Sequence, residues 1–377
     1  MCPVPGSTAA AAASASVTRR SLIGGVGALA ASLGVAAAGG PATQAAAASV
    51  ASPVRSRLEV ILLGTQAGPP VSSDRSGIAT ALVVDGRTYL VDCGRGATTQ
   101  FVRAGLKFRS LEAIFLTHLH ADHVADYYDF FLLGGSVPVY GGDNVARPVK
   151  VYGPGPAGGL PPKFGGGEAP TVSPEHPTPG TADLTRRCHD AYAYSSNVFL
   201  RDMGIADIRT LADVREIALP EVGASFRRTH PAMRPFLVLE DERVRVTATL
   251  VPHGPVFPSF AFRFDTRYGS VTFSGDTTYS DNLVTLAKGS DLLLHEAINL
   301  EGMNLSPVFR DHLLESHVEV QKVGGIAESA EAKHLVLTHL GSANGSRINP
   351  AQWRKWAQRG YGGRVTVGED LQRIIVA

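Results

Sequence analysis

The sequence is poor in cysteine, with Cys2, Cys93 and Cys188 as the only three thiols among 377 residues. Thiols so few and so widely spaced exclude a small scaffold held together by several disulfides. Cys2 lies in an N-terminal segment that we predict to be removed, and Cys93 ends an apolar run, where a small buried residue is expected. Stability must therefore come from a hydrophobic core, which a chain of this length can bury in one or two domains.

The chain also lacks a strong charge of either sign. Lys and Arg number 35, Asp and Glu number 34, and the net charge is +1. Proteins that grip nucleic acid through its phosphates need clustered Lys and Arg, and no basic stripe is visible. The sequence alone therefore predicts no nucleic-acid partner.

After residue 50 there is no apolar run long enough to cross a membrane, so no stable membrane association is expected for the mature chain. Before it, Thr18-Arg19-Arg20-Ser21-Leu22-Ile23 precedes an Ala/Gly-rich run to Ala38, and Ala-x-Ala cleavage sites follow at 45–51. Paired arginines before such a run are typical of a twin-arginine signal. We therefore predict that residues 1–50 direct export to the periplasm or the medium. An uncleaved anchor and a low-complexity tail are the alternatives.

What the sequence does contain is a dense group of potential metal ligands. The apolar run 113–116, typical of a buried strand, leads into His118, His120, Asp122 and His123. The first two histidines can close on one metal from an extended turn, and the last two residues face a second position. Imidazole with carboxylate suits zinc, with manganese or iron as alternatives. The bland alternative is a polar turn with solvated histidines.

Other predicted strands end in the same kinds of side chain. Short apolar runs alternate with helical patterns from Leu58 onward, which indicates an α/β architecture. Ligands collect where strand ends and loops converge. We therefore expect the polar residues at five strand ends to meet, namely His118 with His120, His253, Asp276, His295 and His339.

The character of the chain changes between residues 141 and 243. Residues 154–180 are dense in Gly and Pro, which predicts a loop, and residues 181–204 have a helical pattern. We interpret the whole stretch as a cap inserted beside the site. Its histidines are assigned to the surface or the cap, and four of its side chains are predicted to line a mobile lid, namely Tyr192, Tyr194, Phe199 and Arg201.

Taken in order, these motifs resemble those of the metallo-β-lactamase-fold hydrolases, and within them the ribonuclease Z and arylsulfatase-like branch. The resemblance spans residues 58–376. It rests on Leu63-Gly64-Thr65, Asp92-Cys93-Gly94, residues 117–123, Ser274-Gly275-Asp276-Thr277, His295-Glu296-Ala297 and Thr338-His339-Leu340-Gly341-Ser342. It implies a four-layer αββα sandwich over residues 51–377, including the cap, and a binuclear metal-dependent hydrolase.

The resemblance also implies a ligand set for two divalent ions, which we expect to be zinc, with manganese or iron as alternatives. His118, His120 and His253 bind the first ion, Asp122, His123 and His339 bind the second, and Asp276 bridges both. Ions that share a carboxylate lower the pKa of a bound water and so supply hydroxide near neutral pH.

Three residues are implied to act in catalysis. Asp122 steers the proton of the attacking water, and His317 assists the leaving oxygen, a task suited to an imidazole near neutrality. Glu296, with His295, supports the segment that carries His317, and Asp92 orients metal ligands.

The substrate is less well indicated. The arm by which ribonuclease Z grips transfer RNA lies between the third histidine and the bridging aspartate, and here His253 and Asp276 are separated by one predicted hairpin. Together with export, this favours a small-molecule phosphodiester or sulfate-type ester. A lactonase or carboxylester hydrolase on the same metals is the alternative enzyme, and a non-catalytic metal-bound binding protein is the alternative outside catalysis. The sequence is also compatible with a homodimer.

Overall fold

The computed structural model describes residues 57–135, 142–342 and 347–377, and residues 54–377 group as one compact unit. The predicted export signal at 1–50 lies outside the described residues. No helix in the described ranges combines the length and the apolar character that a bilayer crossing requires.

The first sheet has seven strands. They are β1 (Leu58–Gly64), β2 (Ala79–Val84), β3 (Arg87–Val91), β4 (Leu111–Phe115), β5 (Val149–Gly153), β6 (Ala212–Glu216) and β14 (Gln372–Ile375). Their order in the sheet is β14-β1-β2-β3-β4-β5-β6. The strands from β14 to β3 pair antiparallel, and those from β3 to β6 pair parallel.

The second sheet also has seven strands. They are β7 (Phe236–Glu240), β8 (Val244–Leu250), β9 (Phe260–Thr266), β10 (Gly269–Phe273), β11 (Leu292–Asn299), β12 (His334–Ser342) and β13 (Arg364–Val367). They follow one another across the sheet, antiparallel from β7 to β10 and parallel from β10 to β13. Neighbouring parallel strands need a crossover connection. Helices lie in each of the connections between β10 and β13.

The helices are α1 (Ala97–Arg103), α2 (Ala121–Val124), α3 (Asp129–Leu132), α4 (Thr181–Ala191), α5 (Ala193–Asp202), α6 (Asp281–Leu286), α7 (Pro307–Ser316), α8 (Val320–Ser329) and α9 (Pro350–Ala357). Three of them begin at a side chain that accepts a hydrogen bond from the first helical turn, namely Ser280, Ser306 and Asn349. Such caps satisfy an amide that has no partner within the helix.

The core is divided into three layers of apolar contact by the alternation of side chains along each strand. On β1, Val60 and Leu62 face the second sheet, whereas Ile61 packs with α1 and α3. On β11, Leu294 faces the first sheet, and Leu293 packs with α6, α8 and α9. Helices therefore cover both outer faces, which confirms the predicted four-layer αββα sandwich.

The stretch from 141 to 243 is only partly a cap. The helical stretch predicted at 181–204 is present as two helices, α4 and α5, but β5 and β6 complete the first sheet and β7 edges the second. These strands were missed because turn-forming residues separate them and their apolar patterns are short. The longer parts that lie outside the sheets are therefore residues 154–211 and 217–235.

Two of the five predicted strand ends are also placed differently. His295 lies within β11, fully buried on the face that Leu293 shares, away from Asp276. His339 lies within β12, where Glu296 pairs with Thr338 and Ala297 pairs with Leu340. His339 is thus the extra residue of a β-bulge, with φ of 43°, and a bulge re-aims the side chain that it carries.

Candidate metal centre

The histidine cluster spans the turn after β4 and the first residues of α2, which contains Asp122 and His123. Asp92, at the end of β3, accepts hydrogen bonds from the backbone N–H of Thr117 (2.8 Å) and from its hydroxyl (2.9 Å). These bonds hold the turn against the neighbouring strand. As a result, His118 and His123 are buried, and His120 stays exposed at the start of α2.

The second sheet supplies the other candidate ligands. His253 follows β8, Asp276 follows β10, and His339 is the bulged residue of β12. Gly275 before the aspartate has φ of 61°, and a Cβ there would lie 2.4 Å from the carbonyl oxygen of Phe260. Only glycine fits this turn, so the sequence Ser-Gly-Asp is a geometric requirement for presenting Asp276.

The structure brings all seven candidate ligands together in two groups. His118, His120 and His253 form one group, and Asp122, His123, Asp276 and His339 form the other. Within each group the ligand atoms lie within 4.8 Å of one another, a spacing that a single ion can bridge.

Asp276 lies between the two groups. Its Oδ2 is 3.9 Å from Nε2 of His118 and 3.8 Å from Nε2 of His253. The same oxygen is 3.3 Å from Nε2 of His123 and 3.2 Å from Nε2 of His339. This is the central position that the resemblance implies for a bridging carboxylate.

Hydrogen bonds at Nδ1, on the side of the ring away from the ligand atom, orient two of the imidazoles. Nδ1 of His123 is 2.8 Å from Oδ2 of Asp92, and Nδ1 of His253 is 2.9 Å from the carbonyl oxygen of Ser316. A histidine that donates from Nδ1 presents Nε2 as its free ligand atom. Asp122 is held in turn by the backbone N–H of Gly68 at 3.0 Å.

Burial keeps the imidazoles of the first group neutral, which is the ligating form. It lowers the pKa of His118 far below its usual range and that of His253 to about 3. For Asp276, burial raises the pKa, but His339 and His123 outweigh it and hold the carboxyl ionised. His123 differs, because Asp276 and Asp92 outweigh burial and raise its pKa.

The donor set fits divalent metal ions. Within the described residues, Nε2 of His118, Nε2 of His123 and Oδ1 of Asp276 are buried and make no hydrogen bond. Burying such atoms without partners is costly, and an ion held within each group is the partner that their geometry suits. Five imidazoles with two carboxylates are a nitrogen and oxygen set of the kind that zinc binds.

His317 borders both ligand groups, with ring centroids 5.0 Å from His253 and 5.8 Å from His339. Its Nδ1 is 3.2 Å from Oε1 of Glu296, an oxygen that also accepts from the backbone N–H of Val318 at 3.1 Å. Burial would lower the pKa of His317, but the Glu296 carboxylate outweighs it and raises the pKa to about 9. Nε2 is therefore left to act as a proton donor.

Comparison with known proteins identifies the family. Ribonuclease Z of Mycobacterium bovis (strain BCG / Pasteur 1173P2) is 30% identical over 321 residues, which are 85% of this chain and 98% of the relative. The chain belongs to the ribonuclease Z family. It is a metal-dependent hydrolase of the metallo-β-lactamase fold.

Solved structures share the fold of this ribonuclease Z family member. Human tRNase Z, short form (ELAC1), superimposes with a TM-score of 0.56 at 24% identity, over 85% of this chain and 99% of that chain. The metallo-β-lactamase fold protein YhfI from Bacillus subtilis gives 0.53 at 17% identity, over 84% and 98%. The family described as anti-Pycsar protein Apyc1 matches residues 59–127, which include the histidine cluster.

Membership of the ribonuclease Z family overturns one expectation. The relatives are named for action on RNA, so the prediction of a small-molecule ester substrate without nucleic acid was wrong. Net charge was a poor guide because it averages over the whole surface, whereas substrate meets only the charges around the site.

The lid of this ribonuclease Z family member also differs from the prediction. A cleft of about 690 Å³ opens beside His120, and its wall is the loop 154–179 with α4. Tyr192 stacks on Tyr128 at 5.6 Å and Tyr194 is 85% exposed. Neither they nor Phe199 and Arg201 are among the residues that line the cleft.

Sequence reasoning missed two supports of the ligands. The carbonyl of Ser316 and the N–H of Gly68 are backbone groups. A contact made by a backbone group does not depend on the type of side chain, so the sequence does not indicate it. Leu63-Gly64-Thr65 just before Gly68 was the available signal, since it belongs to the shared motifs.

Proposed function

We propose that this protein is a zinc-dependent phosphodiesterase that hydrolyses phosphodiester bonds in RNA. The observation that carries the proposal is His317, held by Glu296 beside two ligand groups that share Asp276, in a chain of the ribonuclease Z family. A site with metal ligands alone would suit storage or structure. A half-buried imidazole with a carboxylate partner and a free Nε2 suits proton transfer.

The residues divide the work of hydrolysis. When bound, the ions would supply a hydroxide nucleophile and offset the charge of the phosphate. Asp122, held by Gly68 and 3.3 Å from His339, accepts the proton of the attacking water. His317 gives its Nε2 proton to the leaving oxygen while Nδ1 stays on Glu296. One P–O bond breaks, one forms, and a hydroxyl and a phosphomonoester result.

The test uses zinc-loaded protein on three substrates, namely a precursor transfer RNA with a 3′ extension, an unstructured oligoribonucleotide and its DNA counterpart. We expect both RNAs to be cut and His317→Ala to cut neither at a comparable rate. Chelation should abolish cleavage, and zinc should restore it better than manganese or iron. If no RNA is cut while a lactone or carboxylester is hydrolysed by the same preparation, the phosphodiesterase assignment is wrong.

We further propose that residues 1–50 export the enzyme through the twin-arginine route, on the grounds of Arg19-Arg20 and the apolar run that follows. Replacing both arginines by lysine should retain the full-length protein in the cytoplasm. Cell fractionation with an antibody checks this, and Arg55→Lys, outside the segment, is the control. Equal export of both variants would exclude this route.

A further inference from the structure

The cleft beside His120 lies between the Gly/Pro-dense loop 154–179, helix α4 and the turn 255–258. Its volume of about 690 Å³ falls in the range of sites that enclose a ligand of small-molecule size. Because His120 is a candidate metal ligand and lines the cleft, whatever occupies it lies next to the scissile bond. A short stretch of a larger substrate fits such a space.

The charges that line this cleft are of one sign. Lys163 and Arg187 line it, and no carboxylate is among the described residues of its lining. Lys163 donates to the carbonyl of Gly166 within its own loop, at 2.8 Å. The cleft therefore favours an anion, even though the chain as a whole is nearly neutral.

Arg187 differs from its neighbour on α4. Arg186 pairs with Asp183 at 2.9 Å and with Asp190 at 3.6 Å, on the solvent side of the helix. Arg187 is exposed, and although its charge also acts on Asp183, the ion pair that the described residues show for that carboxylate is with Arg186. Its guanidinium is thus available to an incoming phosphate, for which its forked donors are suited.

The remaining lining is apolar. Phe164 and Phe257 contribute rings, Leu119 and Leu184 contribute aliphatic side chains, and prolines make up much of the rest, namely Pro154, Pro161, Pro162, Pro170, Pro177, Pro179, Pro255 and Pro258. Unpaired nucleotides carry both a phosphate and a flat base that packs on such surfaces. A duplex hides its bases and would present only phosphates.

We propose that this cleft is a subsite for unpaired nucleotides of the substrate, and that Arg187 binds a phosphate neighbouring the scissile one. The proposal rests on the proposed function, because it assumes an RNA substrate. Phe164 and the prolines pack against the bases and set no sequence preference, since every base has an apolar face. Substrates with at least one further unpaired nucleotide therefore bind best, because only these offer Arg187 a second phosphate.

The experiment compares Arg187→Gln with Arg186→Gln in zinc-loaded protein. The probes are a fluorescein-labelled oligoribonucleotide of about twelve nucleotides and a dinucleotide with no neighbouring phosphate. For the longer probe, Arg187→Gln should raise KM about tenfold with little change in kcat. Its salt dependence should weaken by about 0.7 in log–log slope, the value for one lost single-strand contact. The dinucleotide should be unaffected, and Arg186→Gln should match the wild type throughout.

The outcomes separate the two proposals. If RNA is cut but both variants have the same KM and salt slope, the subsite is wrong and the ribonuclease activity stands. If no RNA is cut, fluorescence anisotropy of the same probe decides: selective loss of binding in Arg187→Gln supports the subsite without turnover. Equal binding by both variants, or none by the wild type, overturns it.

Discussion

Two regions of the molecule are built in opposite ways. One is the rim, by which we mean the strand ends and turns that carry the candidate metal ligands, and the other is the loop 154–179 that walls the cleft. Six of the seven candidate ligands are buried. Hydrogen bonds orient three of them, because Asp92 and the carbonyl of Ser316 accept from imidazoles and the N–H of Gly68 donates to a carboxylate. The loop 154–179 is mostly exposed, and its contacts with α7 include Phe164 against His312 at 4.9 Å. Strand ends thus hold the candidate ligands, while the proposed substrate contacts lie on a lightly held loop. The same metal chemistry can then serve different substrates when only the loop changes.

The strongest way to break this contrast is to remove the residue that joins the two ligand groups. Asp276→Ala should reduce bound metal from two ions to less than one per chain and abolish turnover, because one carboxylate serves both groups. Elemental analysis of the purified variant measures this, with the exposed Asp202→Ala as control. Two ions per chain in Asp276→Ala would refute the bridging role.

A smaller change should separate chemistry from metal binding on the same rim. His317→Ala should keep its metal and lose about a hundredfold to ten-thousandfold in kcat, the usual range for a proton donor. Steady-state kinetics with parallel metal analysis test it, and the exposed His230→Ala serves as control. Loss of zinc in His317→Ala would instead make this residue a ligand.

Asp92, which orients the ligands by hydrogen bonds, should affect metal affinity less than the ligands themselves do. Asp92→Ala removes the acceptor of both Thr117 and His123, and metal affinity should fall about tenfold to a hundredfold. Competition with a chromogenic chelator measures the affinity. Asp92→Asn keeps one acceptor oxygen and should lie between the wild type and Asp92→Ala, whereas equal affinity in all three would contradict the orienting role.

The smallest effect is expected from the loop. Phe164→Ala should raise KM for an oligoribonucleotide several-fold, by loss of ring packing against a base, and should leave metal content unchanged. Val172→Ala, in the same loop but outside the cleft lining and 87% exposed, is the matched control. A change in bound metal in Phe164→Ala would mean that loop and rim are not independent.

The candidate ligands were predictable from sequence because their chemistry is carried by side chains in compact motifs. His118 to His123 stand in one turn, and Gly275 marks the presentation of Asp276. The αββα sandwich followed from the resemblance that these motifs support, since the alternation of strands and helices alone indicated only an α/β architecture.

Other features depend on contacts between distant segments, and sequence patterns do not report these. The bulge at His339 arises from its register with Glu296 on β11, so β12 continues where an end was expected. His295 was expected to meet the other strand-end residues, but the alternation of β11 turns it to the outer face. Arg187 was unremarkable in the sequence, because only the fold brings it to the cleft that His120 also lines.

The two ends of the described fold meet away from the candidate metal centre. The backbone N–H groups of Arg57 and Leu58 both donate to the carbonyl of Ala377, at 3.0 and 3.1 Å. β1 then runs seven residues, roughly 20 Å, before reaching the rim where Gly68 contacts Asp122. Adjacent ends suit insertion of a domain into a loop of a carrier protein. Such a fusion, or attachment to a solid support through either end, would leave the catalytic face open to long polynucleotides.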